Sequence, residues 1–512
     1  MFFTTLLLMG PALASPILDQ VAGTDPQVAP PLFQATTTAP AAGVIPSTPA
    51  HRVRLVTLDL ALLAQTAQQG SGQNGLTLNL FDDLSVRAEF ASKEAAYGGG
   101  WIWNGTLAND AEGSVKISVM QQVVSATVFY QDELYQIDYA GNGVHWLRHS
   151  DPSGVPDCGT NDTHGIFSEA TVAPRGGSGS RAAITDIDVL VVYSTAAKNV
   201  SGGTNGMQSK INLAVSETNS GYSSSGVDQQ LILVHTEEMI GYSEPSSFSQ
   251  ILYDLADEND GDMDNVHALR DQYGADCVAM ICQNGQYCGI AYLMTSVGPG
   301  FEDSAFSVTN YSCATGYYSF GHELGHNMGS THDPGSAGSA AYSYSYGFRT
   351  SNSQYRTIMA YSPGTRVNRW SSPNVVYAGF TMGNSSQDNV RSLNNTASTV
   401  AAWRVNTPPT PTLQVGTLLA GFLGVANLSN MTASGSAVLA YSLNGNSPTS
   451  TPYGVADLSA PIGQFPSVTV NVGGGASVFL SVPAGASGTT VWFQALDLST
   501  STFTNGVETT VQ

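Results

Sequence analysis

His322-Glu323-Leu324-Gly325-His326-Asn327-Met328-Gly329-Ser330-Thr331-His332-Asp333 is the stretch that decides this chain, because it sets three imidazoles, a carboxylate and a helix-ending glycine at spacings a metal ion can use. On a helix, positions i and i+4 share a face, so His322 and His326 present nitrogens to one ion while Phe320, Leu324 and Met328 turn toward a core. Gly329 can take the left-handed conformation that ends a helix, and the turn brings His332 up as a third nitrogen ligand. Three protein ligands and an open position for water are what a catalytic zinc requires. Glu323 follows the first ligand directly, placed to take a proton from that water. By composition, H-E-x-x-H-x-x-G-x-x-H is expected on the order of 10⁻⁵ times per chain, so accident does not compete. A metal site that has lost catalysis does compete, and Glu323 argues against it, since a purely structural zinc needs no base.

Downstream, Ile358-Met359-Ala360-Tyr361 is an apolar run closed by a tyrosine. Upstream, Gly289-Ile290-Ala291-Tyr292-Leu293 reads as a short strand shortly before the metal helix. The extended motif resembles the metzincin metallopeptidases, and Asp333 directly after the third histidine resembles their reprolysin (adamalysin) branch. The resemblance implies a methionine turn under the metal, for which Met359 is the matching residue. It also implies an edge strand, Gly289 to Leu293, that pairs with substrate in extended form. The activity it implies is that of a zinc endopeptidase, with Gly329 and Asp333 as structural support.

From Ile184 to Asn406 strands and helices alternate. Ile187–Tyr193, Leu231–Thr236 and Cys277–Ile281 read as strands; Met207–Tyr222, Phe248–Glu258 and Met263–Tyr273 read as helices. This α/β layering agrees with the twisted sheet and active-site helix that the resemblance implies. The acidic run from Asp257 to Asp264 does not fit the EF-hand spacing and reads as a solvated connection, so calcium is assigned to no residue.

Before this block the pattern is different. Residues 1–14 hold an apolar run ending in Ala12-Leu13-Ala14, the pattern of a signal peptide, and 15–50 form a flexible Pro/Ala/Thr-rich lead. Val53–Leu58, Leu76–Phe81, Val115–Val119, Val123–Tyr130 and Leu134–Tyr139 are strand-like runs of a β-rich domain over 51–165, read as a prodomain. Trp101 and Trp103 are expected to fill its core rather than to stack on sugars. Asp151 to Arg181 is open and easy to cut, and an activation linker over 166–183 puts maturation near Arg175 or Arg181. The catalytic domain is then 184–406, a Pro/Thr linker 407–414, and a C-terminal all-β, sandwich-like domain 415–512. That last part carries no cysteine, unlike the cysteine-rich modules of animal reprolysins.

Composition sets the outer limits. In 512 residues, 42% hydrophobic content supplies packed cores for several domains, and a formal net charge of −22 excludes nucleic acid or an anionic membrane as the natural partner. No segment after the first has the ~18 apolar residues that would span a bilayer. Protein or peptide substrates and a secreted, extracellular location follow, with the oligomeric state unassigned.

The five cysteines divide unevenly. Cys277, Cys282, Cys288 and Cys313 permit three full pairings. On one continuous strand Cys277 and Cys282 would lie ~16 Å apart, beyond disulfide reach. Cys288 with Cys313 is the favoured bridge, and Cys277 and Cys282 are expected as buried thiols. Cys158 stands alone in Pro156-Asp157-Cys158-Gly159, a string similar to the cysteine switch of metzincin propeptides, with Asp157 where the matrix metallopeptidase version carries a basic residue. A thiolate there would hold the fourth zinc position in the precursor. Two other functions stay open at this stage: a zinc hydrolase of a non-peptide amide or ester, and a surface-binding protein with a relict zinc site.

Overall fold

The computed structural model of the protein describes residues 30–47, 49–68, 75–160, 184–404, 410–432, 435–471 and 474–512. The expected signal peptide, the activation linker with Arg175 and Arg181, and the start of the Pro/Thr linker lie outside the described residues. In the first third of the chain, strands β1 (Phe33–Ala35), β2 (Ala50–Leu58), β3 (Gly75–Phe81), β4 (Leu84–Ala96), β5 (Gly100–Leu107), β6 (Asp110–Met120), β7 (Val123–Tyr130), β8 (Glu133–Tyr139) and β9 (His145–Ser150) form one sheet. Its order is β1-β2-β9-β8-β7-β6-β5-β4-β3, a meander whose last strand closes on β2. Alternation builds it: Val115, Ile117 and Val119 face one core with Leu76, Leu78 and helix α1 (Leu60–Gln68).

Three features depart from the sequence reading. Residues 30–35, expected within a flexible lead, are folded, because Leu32 and Phe33 are enclosed in the sheet's core and β1 adds itself to the open edge of β2. Strand β4 was hidden by its exposed stretch Ser92-Lys93-Glu94, which presents polar side chains to solvent. Cys158, Gly159 and Thr160, expected in an open loop, are buried, for a reason given below. Trp103 does fill the core, its indole donating to Thr66 Oγ1 at 3.1 Å, while Trp101 lies half-buried under Lys93.

The second sheet runs β11 (Gln229–Met239), β10 (Thr185–Ser194), β12 (Cys277–Cys282), β14 (Phe306–Asn310), β13 (Gly289–Ala291). All neighbours are parallel except β13, which pairs antiparallel with β14 at the edge. Parallel strands covered on both faces must be apolar throughout, as β12 is along its whole length. On one face lie α3 (Thr204–Ser225), α6 (Ser319–Asn327) and α7 (Asn389–Val400), sharing a core of Met207, Ile211, Phe320, Leu324 and Leu393. On the other lie α4 (Phe248–Ala256) and α5 (Asn265–Tyr273), through Phe248, Ile251 and Val266; the short α2 (Thr195–Val200) precedes α3. Beyond α6 the chain is irregular, holding the paired two-residue strands β15 (Tyr355–Arg356) and β16 (Thr365–Arg366).

Helix α3 is buried on two sides, because the first sheet packs on the side away from the second. That junction is polar. Ser209 accepts from Ser125 N and donates to Ser118 O; Thr127 Oγ1 donates to Glu217 at 2.5 Å; fully buried Lys210 pairs with Asp138. An interface of this kind resembles those between separable partners more than a continuous core. From Thr412 on, a three-stranded and a six-stranded sheet share the core Leu413, Leu428, Leu439 and Phe493. The expected strand Val468–Val472 is shorter there, Val468–Thr469. No helix among the described residues is long and apolar enough to cross a membrane.

Candidate active site and metal centre

Helix α6 carries His322, Glu323 and His326, all buried. It ends in a Schellman turn: Ser330 N donates to Gly325 O at 2.8 Å, Gly329 N to His326 O at 3.1 Å, and Gly329 has φ +86°. The chain therefore reverses within one turn and returns His332 to the helix. A Cβ on Gly325 would come within 2.7 Å of Trp370 and 3.1 Å of Met359 Sδ, so the motif's inner glycine is where the helix rests on Trp370 and Met359.

The ring nitrogens are arranged by backbone carbonyls. His322 Nδ1 donates to Ile358 O and His326 Nδ1 to Ser330 O, both at 2.9 Å, which fixes the tautomer and leaves each Nε2 a bare lone pair. Those two lone pairs converge on His332 Nε2 at 3.2 and 3.1 Å. Burial pushes all three imidazoles down, His326 to about 3 and the others well below their usual range, so they stay neutral. Nitrogens held tetrahedrally at about 2.0–2.1 Å from zinc lie roughly 3.3–3.4 Å apart. The residues therefore fit zinc almost without moving, and the converging lone pairs need a cation between them.

Cys158 Sγ lies 3.6 Å from His326 Nε2 and 3.3 Å from Glu323 Oε2, and the four potential ligand atoms all fall within 4.8 Å of one another. A sulfur at about 2.3 Å from the same zinc would sit roughly 3.6 Å from its nitrogens. The sulfur is held there by two backbone bonds and one to a side chain: Cys288 N donates to Asp157 O at 3.2 Å, Gly159 N to Gly289 O at 2.8 Å, and Ala291 N to the Thr160 hydroxyl Oγ1 at 2.9 Å. Residues 157–160 thus run parallel to β13 along its outer edge. Tyr361 adds a hydrogen bond from its hydroxyl to Cys158 O at 2.7 Å.

Glu323 faces this segment. Its Oε1 is buried with no partner, and burial first of all pushes its carboxyl up to about 8. Gly289 makes room for it, since a Cβ there would lie 2.2 Å from Oε1. The Asp333 carboxylate accepts from Tyr361 N at 3.1 Å and pairs with Arg349, tying the segment after His332 to the one that follows Met359.

Of the residues singled out in sequence, β13 covers Gly289, Ile290 and Ala291, while Tyr292 and Leu293 lie beyond the strand. The bridge joins Cys288 and Cys313, tethering β13 to the approach to α6, and Cys277 and Cys282 are buried thiols in β12. The acidic run around Asp260 and Asp262 is an exposed connection that caps its own turns. Sequence reasoning missed Thr160, the Tyr361 hydroxyl and two arginines, Arg356 and Arg366, because none stands at a spacing that signals chemistry.

Residues 183–371 match the family model described as metallo-peptidase family M12, reprolysin type. Over 346 residues the chain is 35% identical to a peptidyl-Asp metalloendopeptidase of Xanthomonas campestris pv. campestris, covering 63% of this chain and 80% of that protein. A peptidyl-Asp metalloendopeptidase of Stenotrophomonas maltophilia is also 35% identical, over 62% of this chain and 81% of its own length. One of Pseudomonas fragi is 31% identical over 37% of this chain and the whole of that sequence. Among solved structures, metalloproteinase-II from Bacteroides fragilis aligns with a TM-score of 0.37 at 9% identity, over 61% of this chain and 91% of that one, a likeness too weak to add to the fold already described.

Proposed function

We propose that this chain, which belongs to the reprolysin-like metallopeptidases of family M12, is a zinc endopeptidase exported as a latent precursor that cleaves peptidyl-Asp bonds. It is a metalloendopeptidase, as its curated relatives are named. His322, His326 and His332 would hold the zinc, which when bound supplies Lewis-acid polarisation of a carbonyl and an acidified water.

Everything else comes from the chain itself. Strand β13 offers its outer edge to an extended peptide, which gives affinity through the backbone. Glu323 takes the proton of the attacking water on its carboxylate and passes it to the departing amine. In the precursor, residues 157–160 cover the edge that substrate needs, and Cys158 fills the position that water needs. Cutting the chain between 161 and 183 would let the first sheet leave across its polar junction with α3.

The observation that carries this reading is the place of the Cys158 sulfur, among three histidine nitrogens and against Glu323. The experiment compares purified precursor with precursor nicked between 161 and 183, using casein and an Asp-containing peptide. The precursor should be silent, the nicked form active, and a chelator should abolish the activity. Glu323→Gln should keep its zinc and lose ~10²- to 10⁴-fold in turnover. Near-native turnover of that variant would sink the assigned base. A nicked, zinc-loaded chain that leaves peptides intact would return the function to binding. Export is checked by the N-terminus of protein recovered from the medium, expected just after Ala14.

A further inference from the structure

Strands β15 and β16 pair in parallel with Arg356 directly opposite Arg366. Paired residues project to the same face, so two guanidiniums stand side by side, an arrangement that like charges oppose. Burial aggravates it. Arg356 is 7% exposed; burial first, and Arg366 next, push its guanidinium down to about 9. Arg366 is likewise lowered by burial.

The carbonyls around them satisfy only part of this pair. Arg356 donates to Gly364 O at 2.8 Å and Ala360 O at 2.6 Å, and Arg366 to Tyr317 O at 3.2 Å. Arg366 Nε is enclosed without a partner. Among the described residues neither arginine has a carboxylate at salt-bridge distance, whereas Arg349 has Asp333, Arg369 has Glu112, and Arg404 has Asp271 and Glu302. Two cations, Arg356 buried and Arg366 half-buried, with donors to spare and no carboxylate at salt-bridge distance make a site that awaits an anion.

The pair borders the segment beneath the histidines, Arg356 donating to the carbonyl of Ala360 beside Met359. Arg356 and Arg366 line a cavity of about 590 Å³ whose opposite wall comes from the first sheet and the loop after it, with Asp132 and Asp151, so that wall leaves when the first sheet does. The charge of Arg366 acts on His322, His332 and Glu323.

The geometry points to Arg356 and Arg366 as the pair that receives the side-chain carboxylate of the substrate's aspartate. This rests on the peptidyl-Asp reading above. A carboxylate between two guanidinium forks gains charge-assisted hydrogen bonds that the amide of asparagine cannot match, and the pair left without an anion opposes binding. Neutral side chains at that position are therefore rejected, as at any site whose buried polar groups they leave unpaired.

The test uses the processed enzyme and two fluorogenic peptides that differ only in Asp or Asn on the amine side of the scissile bond. The native ratio of kcat/KM, Asp over Asn, is expected to be at least about 100, and Arg366→Gln or Arg356→Gln should lower it roughly 30-fold or more. Damage to the fold alone lowers both rates and leaves the ratio. If the glutamine variants do not fold, Arg366→Lys answers the same question: it keeps the charge, loses the fork, and should give an intermediate ratio. In the Glu323→Gln background, anisotropy should show the Asp peptide binding tighter than the Asn peptide, and the difference vanishing with Arg366→Gln. A native-like ratio in the arginine variants overturns this assignment and leaves the peptidyl-Asp reading standing. A native ratio near one overturns that reading, and the assignment with it.

Discussion

Gly289→Ala is the smallest change that should disable the site without touching a ligand. The glycine lies in β13 at ordinary extended dihedrals, so alanine adds no backbone strain and is if anything the better strand former. What it adds is one methyl carbon, 2.2 Å from Glu323 Oε1 and 2.4 Å from both Cγ and Cδ. Ordinary contact needs about 3.4 Å, so the carboxylate must retreat by roughly 1.2 Å or the strand must move outward by as much. Overpacking of this kind costs about 1–3 kcal/mol. A displacement near 1 Å of a reacting group lowers turnover by ~10²-fold. The zinc should stay, because His322, His326 and His332 are positioned by α6, its terminal turn and the Ile358 carbonyl, none of which meets Gly289. The assay is kcat on an Asp-containing peptide with zinc content and thermal midpoint measured on the same preparation. Turnover within threefold of native would refute the placement of Glu323 against β13, and parallel loss of zinc would refute the local account of the damage.

Three further outcomes are expected. Glu217, buried between α3 and β7, accepts from Thr127 and Gly316 N, faces Lys116 and Lys210, and is pushed by burial up to about 7 from 4.5. An acid raised in the packed state holds a proton that the separated state releases. The packing of the first sheet on α3 is therefore strongest below pH 4.5, weakens through the window up to 7 by at most about 3 kcal/mol, and levels off above it. Denaturation of the precursor between pH 4.5 and 8 should show that slope and Glu217→Gln should flatten it; an unchanged slope removes Glu217 as its source. Cys158→Ser should give a precursor that hydrolyses peptide before any cut, with the single sulfur lost from its zinc absorption fine structure; a variant as latent as the native chain, whose own spectrum lacks sulfur, would leave inhibition to the covering of β13 alone. His332→Ala should empty the metal site, since two helix nitrogens leave zinc under-coordinated, and full occupancy by metal analysis would place the third ligand elsewhere.

The metal motif was legible because everything it needs is local. The helical period sets His322 and His326 on one face, Gly329 ends the helix within one turn, and His332 follows three residues later, so short-range geometry alone brings three nitrogens together. The alternating and apolar runs of β7, β8, β10 and β12 could be read for the same reason, since each strand's pattern lies within its own few residues. Strand β1 escaped because its stability comes from the open edge of β2 and from a core into which Leu32 and Phe33 fit, neither of which is visible in a Pro- and Thr-rich stretch. Tertiary structure alone decided how the site is closed and what surrounds it. Cys158 reaches Glu323 across 165 residues because residues 157–160 pair along the outer edge of β13. Gly289 is a glycine because Glu323 occupies the space of its side chain, a fact about two distant segments. Arg356 and Arg366 meet only through the register of two strands of two residues each, too short to leave a period in the sequence, and their charge matters only because burial has removed the water that would have screened it.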